Sequence, residues 1–109
     1  MEKFTYLPRT KLSSLPKAPG VYALSSPKAI LYIGKATNIK DRVKNHFQQT
    51  SYRDNLFIQD ITKVGYIKTE SDIDSLLLES QLIKKLQPKY NVMWKDDKKY
   101  FYVAITKEQ

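Results

Sequence analysis

Two short apolar runs, Gly20-Val21-Tyr22-Ala23-Leu24 and Ile30-Leu31-Tyr32-Ile33-Gly34, flank a polar break at Ser25-Ser26-Pro27-Lys28-Ala29. Runs rich in Tyr, Val, Ile and Leu around such a break predict a β-hairpin with a longer loop. Pairing symmetric about Pro27 sets Tyr22 opposite Tyr32 and Gly20 opposite Gly34. Strand alternation then puts all four on one face. That face carries two phenols beside a site without side chains, which suits something flat or close-packed such as a nucleic-acid backbone. A slip of one residue would separate the phenols.

The pattern elsewhere predicts two main helices and a third strand. Asn38 as N-cap with Asp41 at N3 starts a helix over Ile39 to about Gln49. Ile39, Val43 and Phe47 form its apolar stripe, while Arg42 and His46, one turn apart, share a neighbouring stripe. Residues 50–55 have the composition of a polar loop, Leu56 to Thr62 that of a short helix, and Val64 to Thr69 that of a strand. Ser71 with Asp74 resembles a capping box and opens a second long helix, which Pro88 stops. Asp72 and Asp74 in its first turn and Lys84 and Lys85 in its last complement the helix dipole. Its apolar positions are Ile73, Leu76, Leu77, Leu82, Ile83 and Leu86, with Leu78 to one side. Glu79 falls within or at the edge of that stripe, where a carboxylate is costly unless something positive or hydrogen-bonding meets it.

The ends are less regular. Residues 1–19 hold Pro8, Pro16 and Pro19 and predict an irregular lead-in with one helical turn, docked through Phe4, Tyr6, Leu12 and Leu15. Tyr100 to Ile105 alternates as a strand does, pairing back onto residues 91–94. The expectation is one α+β domain over residues 1–109. It has a small, mainly antiparallel sheet of about three strands flanked by helices, a lead-in over 1–14 and a C-terminal extension with a strand over 95–109.

Charge changes this picture. Lys and Arg outnumber Asp and Glu 19 to 11, a net charge of +8, which points to a polyanionic partner, nucleic acid ahead of a membrane surface. A merely basic, soluble protein is the ordinary alternative. The absence of cysteine excludes a disulfide framework and thiolate metal sites. Met1 to Tyr6 has no continuous apolar run and nothing approaches a membrane span, so a cytoplasmic, monomeric protein of one domain without membrane contact is the default expectation.

Tyr22, Tyr32, Lys35, Arg42, His46, Glu79 and Asn91 each have an ordinary role when taken singly. Together they describe a metal-assisted phosphodiesterase: paired phenols on a hairpin, Arg and His one turn apart, and a Glu intruding on an apolar face. The arrangement resembles the GIY-YIG nuclease family, whose two signatures stand here as Gly20-Val21-Tyr22 and Tyr32-Ile33-Gly34. Within it the likeness is to the N-terminal nuclease domain of UvrC-type subunits of bacterial nucleotide excision repair. It extends through Leu15-Pro16, Lys35-Ala36-Thr37-Asn38, Leu76-Leu77-Leu78-Glu79, Leu82-Ile83-Lys84-Lys85, Pro88 to Val92 and Lys95-Asp96-Asp97-Lys98, roughly residues 12–106.

The resemblance implies a metal-dependent DNA endonuclease of the repair type. Tyr22, Tyr32, Arg42, His46 and Glu79 fall on the catalytic positions, with Glu79 as ligand of one Mg²⁺ (or Mn²⁺) ion. Gly20, Gly34, Lys35, Lys40 and Asn91 take DNA-binding or supporting positions, and DNA and other repair proteins are the implied partners. At position 46 UvrC-type proteins carry Tyr, so His46 departs toward the homing and restriction branches. A catalytically weak DNA-binding or partner-docking module on the same fold is the alternative. One carboxylate suffices to hold a hard ion that keeps several waters. Arg42 offers a planar donor pair to a phosphate. A tyrosine base is harder to justify: at pH 7 about one phenol in a thousand is ionised, a cost of roughly 4 kcal/mol. Positive charge from Lys35, Arg42 and the metal would reduce that cost. Whether Tyr22 or Tyr32 is the base, with His46 orienting it or sharing the proton, stays open at this point.

Overall fold

The computed structural model describes residues 3–48 and 51–92. Four strands, β1 (Thr5–Pro8), β2 (Gly20–Ser25), β3 (Ile30–Ala36) and β4 (Lys63–Lys68), form one antiparallel sheet in the order β1-β4-β2-β3. The helices are α1 (Ile39–Gln48), the single turn α2 (Tyr52–Asn55) and α3 (Asp72–Leu86). Short 3-10 segments cover Arg9–Ser14 and Ile58–Asp60.

β2 lies between two paired neighbours and between two layers of helix, and all six of its residues are buried. Its alternation sorts the core. Tyr22 and Leu24 pack with Ile39 and Val43 of α1, Phe57, Ile58, Ile61 and Val64 on one face. Val21 and Ala23 pack with Ile33, Ile67 and Leu82 of α3 on the other. The caps expected from local sequence are made. Asn38 Oδ1 accepts the Asp41 N–H at 3.1 Å, and Ser71 Oγ accepts the Asp74 N–H at 3.1 Å. The lead-in completes the start of α1, because Ile39 N–H and Lys40 N–H donate to the carbonyls of Ala18 and Pro16. α3 ends in a left-handed residue, Gln87 (φ 48°), whose N–H donates to the Ile83 carbonyl, and Pro88 follows.

Five expectations need correction. The sheet gains a fourth strand, because Thr5–Pro8, expected as irregular lead-in, pairs with β4. Pro8 at its end is tolerated because β1 is an edge strand. Gly65 leaves room for this pairing: a Cβ there would sit 2.8 Å from Tyr6 Cε1. Secondly, the hairpin is not symmetric about Pro27. Ser26 N–H closes a four-residue turn onto the Ala29 carbonyl, and an irregularity between Leu24 and Ser25 shifts the register. Tyr22 therefore lies opposite Gly34, Tyr32 opposite Leu24 and Gly20 opposite Ala36. The shift is two residues, so the phenols keep one face and become diagonal neighbours.

Thirdly, residues 52–55 are helical rather than loop, and Leu56–Thr62 holds only the 3-10 turn Ile58–Asp60. Fourthly, α3 buries a different face. Ser75 and Leu82 are buried, Leu78 and Ile83 pack on the second core cluster, and Ile73 (70 % exposed), Leu76, Leu77 and Leu86 face outward. The sheet-facing row is 75, 78, 79, 82, a helical i, i+3, i+4, i+7 set with Glu79 inside it. Lastly, Asn91 and Val92, expected in strand pairing, stand in a helical turn over 89–92. The expected strand Tyr100 to Ile105 and the Lys95–Lys98 motif lie outside the described residues.

Candidate active site

β3 is an edge strand, so side chains from both helical layers reach its outer flank. There they border an open cleft of about 580 Å³, lined among others by Tyr22, Tyr32, Lys35, Asp41, Arg42 and Glu79. Tyr22 comes from the central strand, Tyr32 from the edge strand and Arg42 from the first turn of α1. Glu79 comes from the middle of α3, on the opposite face.

The register explains how Tyr22 fits. Its ring lies over Gly34 on the neighbouring strand, where a Cβ would come within 2.6 Å of Tyr22 Cζ and closer still to the hydroxyl. Gly20 has a different reason: its missing side chain leaves room for the Ile67 carbonyl and Ile39 Cδ1. Tyr22 is fully buried, with its ring centroid 6.3 Å from Tyr32 and 5.4 Å from His46. Its hydroxyl and His46 Nε2 are 2.6 Å apart. On the far side of the imidazole, Nδ1 lies 3.0 Å from Asp54 Oδ2. The Arg42 guanidinium stands close enough to Tyr22 for its charge to act on the phenol. Tyr22, His46 and Asp54 therefore form a continuous hydrogen-bonded chain from the cleft into the packed layer between α1 and α2.

Electrostatics follow from burial. Desolvation pushes the Tyr22 phenol well above its usual 10, Tyr32 adds to this, and the nearby Arg42 guanidinium opposes it. Tyr32 moves the same way, first through burial and then through the charge of Glu79, again opposed by Arg42. The attraction of Tyr22 raises Arg42 further. His46 is held below its usual 6.5 by burial, which outweighs the upward pull of the Asp54 carboxylate. The cation acting on both phenols is thus Arg42. Lys35 points to the α3 side of the sheet, where its Nζ is 3.5 Å from Asp72 Oδ1.

Asn91 holds the edge strand. Its Oδ1 accepts the Ile33 N–H at 2.7 Å and its Nδ2 donates to the Ile33 carbonyl at 2.8 Å. The outward backbone groups of the residue after Tyr32 are satisfied in this way. Of the residues singled out by sequence, Tyr22, Tyr32, Lys35, Arg42 and Glu79 meet at the cleft. His46 and Gly34 stand behind Tyr22, and Asn91 acts on the β3 backbone. Gly20 and Lys40 do not line it.

Sequence reasoning missed Asp54. It lay in a stretch taken as polar loop, yet it is buried against His46. The signal was present in Ser51: its Oγ accepts the Asp54 N–H at 3.1 Å, the same Ser-x-x-Asp cap that opens α3.

The family model of the UvrC-like GIY-YIG domain matches residues 18–92, most of the described chain. The chain belongs to the UvrC-like GIY-YIG domain family. It is 42% identical over 108 residues to UvrABC system protein C of Prosthecochloris aestuarii, covering 95% of this chain and 18% of that protein. It is 44% identical over 100 residues to the corresponding protein of Clostridium tetani, covering 88% and 16%. The chain therefore spans about a sixth of the length of these relatives. Among solved structures, the GIY-YIG N-terminal endonuclease domain of UvrC from Thermotoga maritima, bound to its catalytic divalent cation magnesium, superposes with a TM-score of 0.68. The two are 28% identical, and the match covers 75% of this chain and 92% of that one. This GIY-YIG chain shares with that domain its α+β architecture, a four-stranded antiparallel sheet with flanking helices.

Proposed function

We propose that this chain is a metal-dependent DNA endonuclease of the nucleotide-excision type. The observation that carries this is the cleft itself, where the Glu79 carboxylate, the Arg42 guanidinium and the phenols of Tyr22 and Tyr32 converge from both faces of the sheet. Family membership supports it, as does the magnesium ion of the Thermotoga maritima domain. DNA is the substrate class that suits a chain of charge +8. Other repair proteins would supply site recognition, and a bacterial cytoplasm is the fitting compartment. Among the described residues no helix is long and apolar enough to cross a membrane.

The donor set fits a hydrated hard cation. Among the described residues no group of three or more His, Cys, Asp or Glu side chains gathers to form an all-protein cage. Glu79 borders an open, water-accessible cleft, which is how Mg²⁺ is held through one carboxylate while keeping most of its waters. Such an ion supplies Lewis acidity at the leaving oxygen.

The chain's own residues do the rest. Arg42 donates to the non-bridging oxygens of the phosphate, where negative charge builds up. Free tyrosinate at Tyr22 is scarce at neutral pH, because burial pushes its phenol above its usual 10. The hydrogen bond to His46 removes the need for a free tyrosinate. As the attacking water gives its proton to the Tyr22 oxygen, the phenolic proton passes to His46 Nε2. The new P–O bond forms at the water oxygen, and the bond to the 3′ oxygen breaks with its electron pair leaving on that oxygen. Tyr32 shapes the water side of the cleft.

The test is nicking of supercoiled plasmid with Mg²⁺ by the wild type and by Glu79→Ala. Mg²⁺-dependent nicking lost in the variant is expected. No nicking by the wild type at any Mg²⁺ concentration refutes the enzyme reading, and full activity in Glu79→Ala refutes the metal assignment.

A further inference from the structure

The imidazole of His46 has to present an unprotonated nitrogen to Tyr22 if it is to take the phenolic proton, and something must select that tautomer. We propose that Asp54 is a positioning residue that locks His46 in its Nδ1–H tautomer, so that Nε2 faces Tyr22 as a proton acceptor. The proposal deepens the endonuclease reading and rests on it for its consequence in catalysis.

The argument is one of donors and acceptors. An ionised carboxylate only accepts hydrogen bonds. Asp54 Oδ2 stands 3.0 Å from Nδ1, so the short contact requires a proton on Nδ1. Neutral imidazole carries one N–H, which leaves Nε2 as an acceptor. Tyr22 completes the set. Its hydroxyl can donate as well as accept, so it matches an acceptor Nε2 by directing its one proton along the 2.6 Å contact. The opposite tautomer would set the Nδ1 lone pair against the carboxylate, and its Nε2–H would point at the Tyr22 oxygen, leaving the phenolic proton no acceptor on the imidazole. Both contacts are buried: the side chains of His46 and Asp54 are 8% and 12% exposed, so water does not compensate for a mismatch.

Asp54 is itself held. Its N–H donates to Ser51 Oγ at 3.1 Å, and its carbonyl accepts the Phe57 N–H at 3.1 Å. Phe57 stacks on Tyr32 with ring centroids 6.0 Å apart, which ties α2 to the cleft wall. Among the described residues, the groups facing His46 include Tyr22 from β2, Tyr32 from β3, Arg42 from its own helix and Asp54 from α2. Among them Asp54 is the one carboxylate. A Tyr at position 46, the residue implied for UvrC-type proteins, has no tautomer to select, so Asp54 matters through the histidine.

His46 is the single histidine of the chain, so its tautomer is read without ambiguity from imidazole ¹⁵N shifts of the 109-residue chain. The wild type at pH 7.5 is expected to show a pyrrole-type Nδ1 and a pyridine-type Nε2. Asp54→Asn, which can donate as well as accept, is expected to mix the tautomers. It should lower kcat for plasmid nicking about tenfold or more, with little change in KM and a displaced acidic limb of the pH profile. In a His46→Tyr background, Asp54→Asn should no longer affect kcat. A wild-type spectrum with the proton on Nε2 overturns the proposal. So does Asp54→Asn with unchanged tautomer and kcat, or an Asp54→Asn loss that persists in full beside His46→Tyr. Thermal unfolding of each variant confirms that folded protein is compared. If the wild type does not nick, the endonuclease reading fails, while the spectra still judge the tautomer assignment.

Discussion

Replacing Gly34 by Ala probes the observed register of the hairpin. The added Cβ would sit 2.6 Å from Tyr22 Cζ and 3.0 Å from Cε2, where ordinary contact begins at 3.4 Å. The ring must retreat by roughly 1 Å, and it has nowhere to go: Tyr22 is fully buried between Tyr32 and His46 in the first core cluster. Overpacking of this kind costs about 1–3 kcal/mol, and loss of the buried hydrogen bond to His46 adds about 1 kcal/mol. The sum, about 2–4 kcal/mol, corresponds to a fall in Tm of about 10–25 °C for a domain of this size. Surviving folded protein should nick plasmid on the order of a hundredfold more slowly, because Tyr22 no longer meets both Arg42 and His46. Adding Tyr22→Phe should not restore stability, since the ring carbons clash as well as the hydroxyl. Differential scanning calorimetry and plasmid nicking are the assays. A Tm within about 3 °C of wild type would refute the Tyr22–Gly34 pairing. Under the register symmetric about Pro27, Tyr32 would take the place opposite Tyr22, and Gly34→Ala would be mild.

Two further outcomes follow from the same geometry. His46 is held below its usual 6.5 in the folded state, so the unfolded chain binds the extra proton first as pH falls. Its contribution to stability is fully present above 6.5 and is lost as pH drops from there toward the depressed folded value; urea unfolding between pH 8 and 5 should show this slope, and His46→Gln should remove it. Asn91→Ala deletes two hydrogen bonds to Ile33 and should cost about 1–3 kcal/mol in urea unfolding, with protection of the β3 amides falling first in hydrogen exchange. Unchanged β3 protection would show that the edge strand does not depend on this clamp.

What the sequence made legible was local. Asn38 and Ser71 cap their helices through bonds to residues three positions on, and such signals are complete within a single turn. β1 was not legible because four residues ending in Pro8 become a strand only by pairing with β4, some sixty positions away. The buried face of α3 was hidden by its composition, since leucines surround the helix and periodicity cannot choose among its faces. The hairpin register was hidden by an irregularity beside Ser25 that no composition rule announces.

The candidate site divides along the same line. The GIY-YIG residues at the cleft could be named because they fall on the motif positions of the family that the chain resembles. Asp54 could not, because its importance comes from packing: a polar segment closes into one turn on a Ser51 cap and sets a carboxylate against the back of His46. The physical consequence reaches the reaction. Sequence reasoning looked to cations to make a tyrosine base affordable, yet burial moves the Tyr22 phenol in the opposite direction despite Arg42. A fully buried phenol becomes useful as a base only when its own proton has a place to go, and the acceptor is useful only in one tautomer. The burial that keeps Tyr22 protonated is therefore also what makes its 2.6 Å contact to His46, and the carboxylate behind it, decisive.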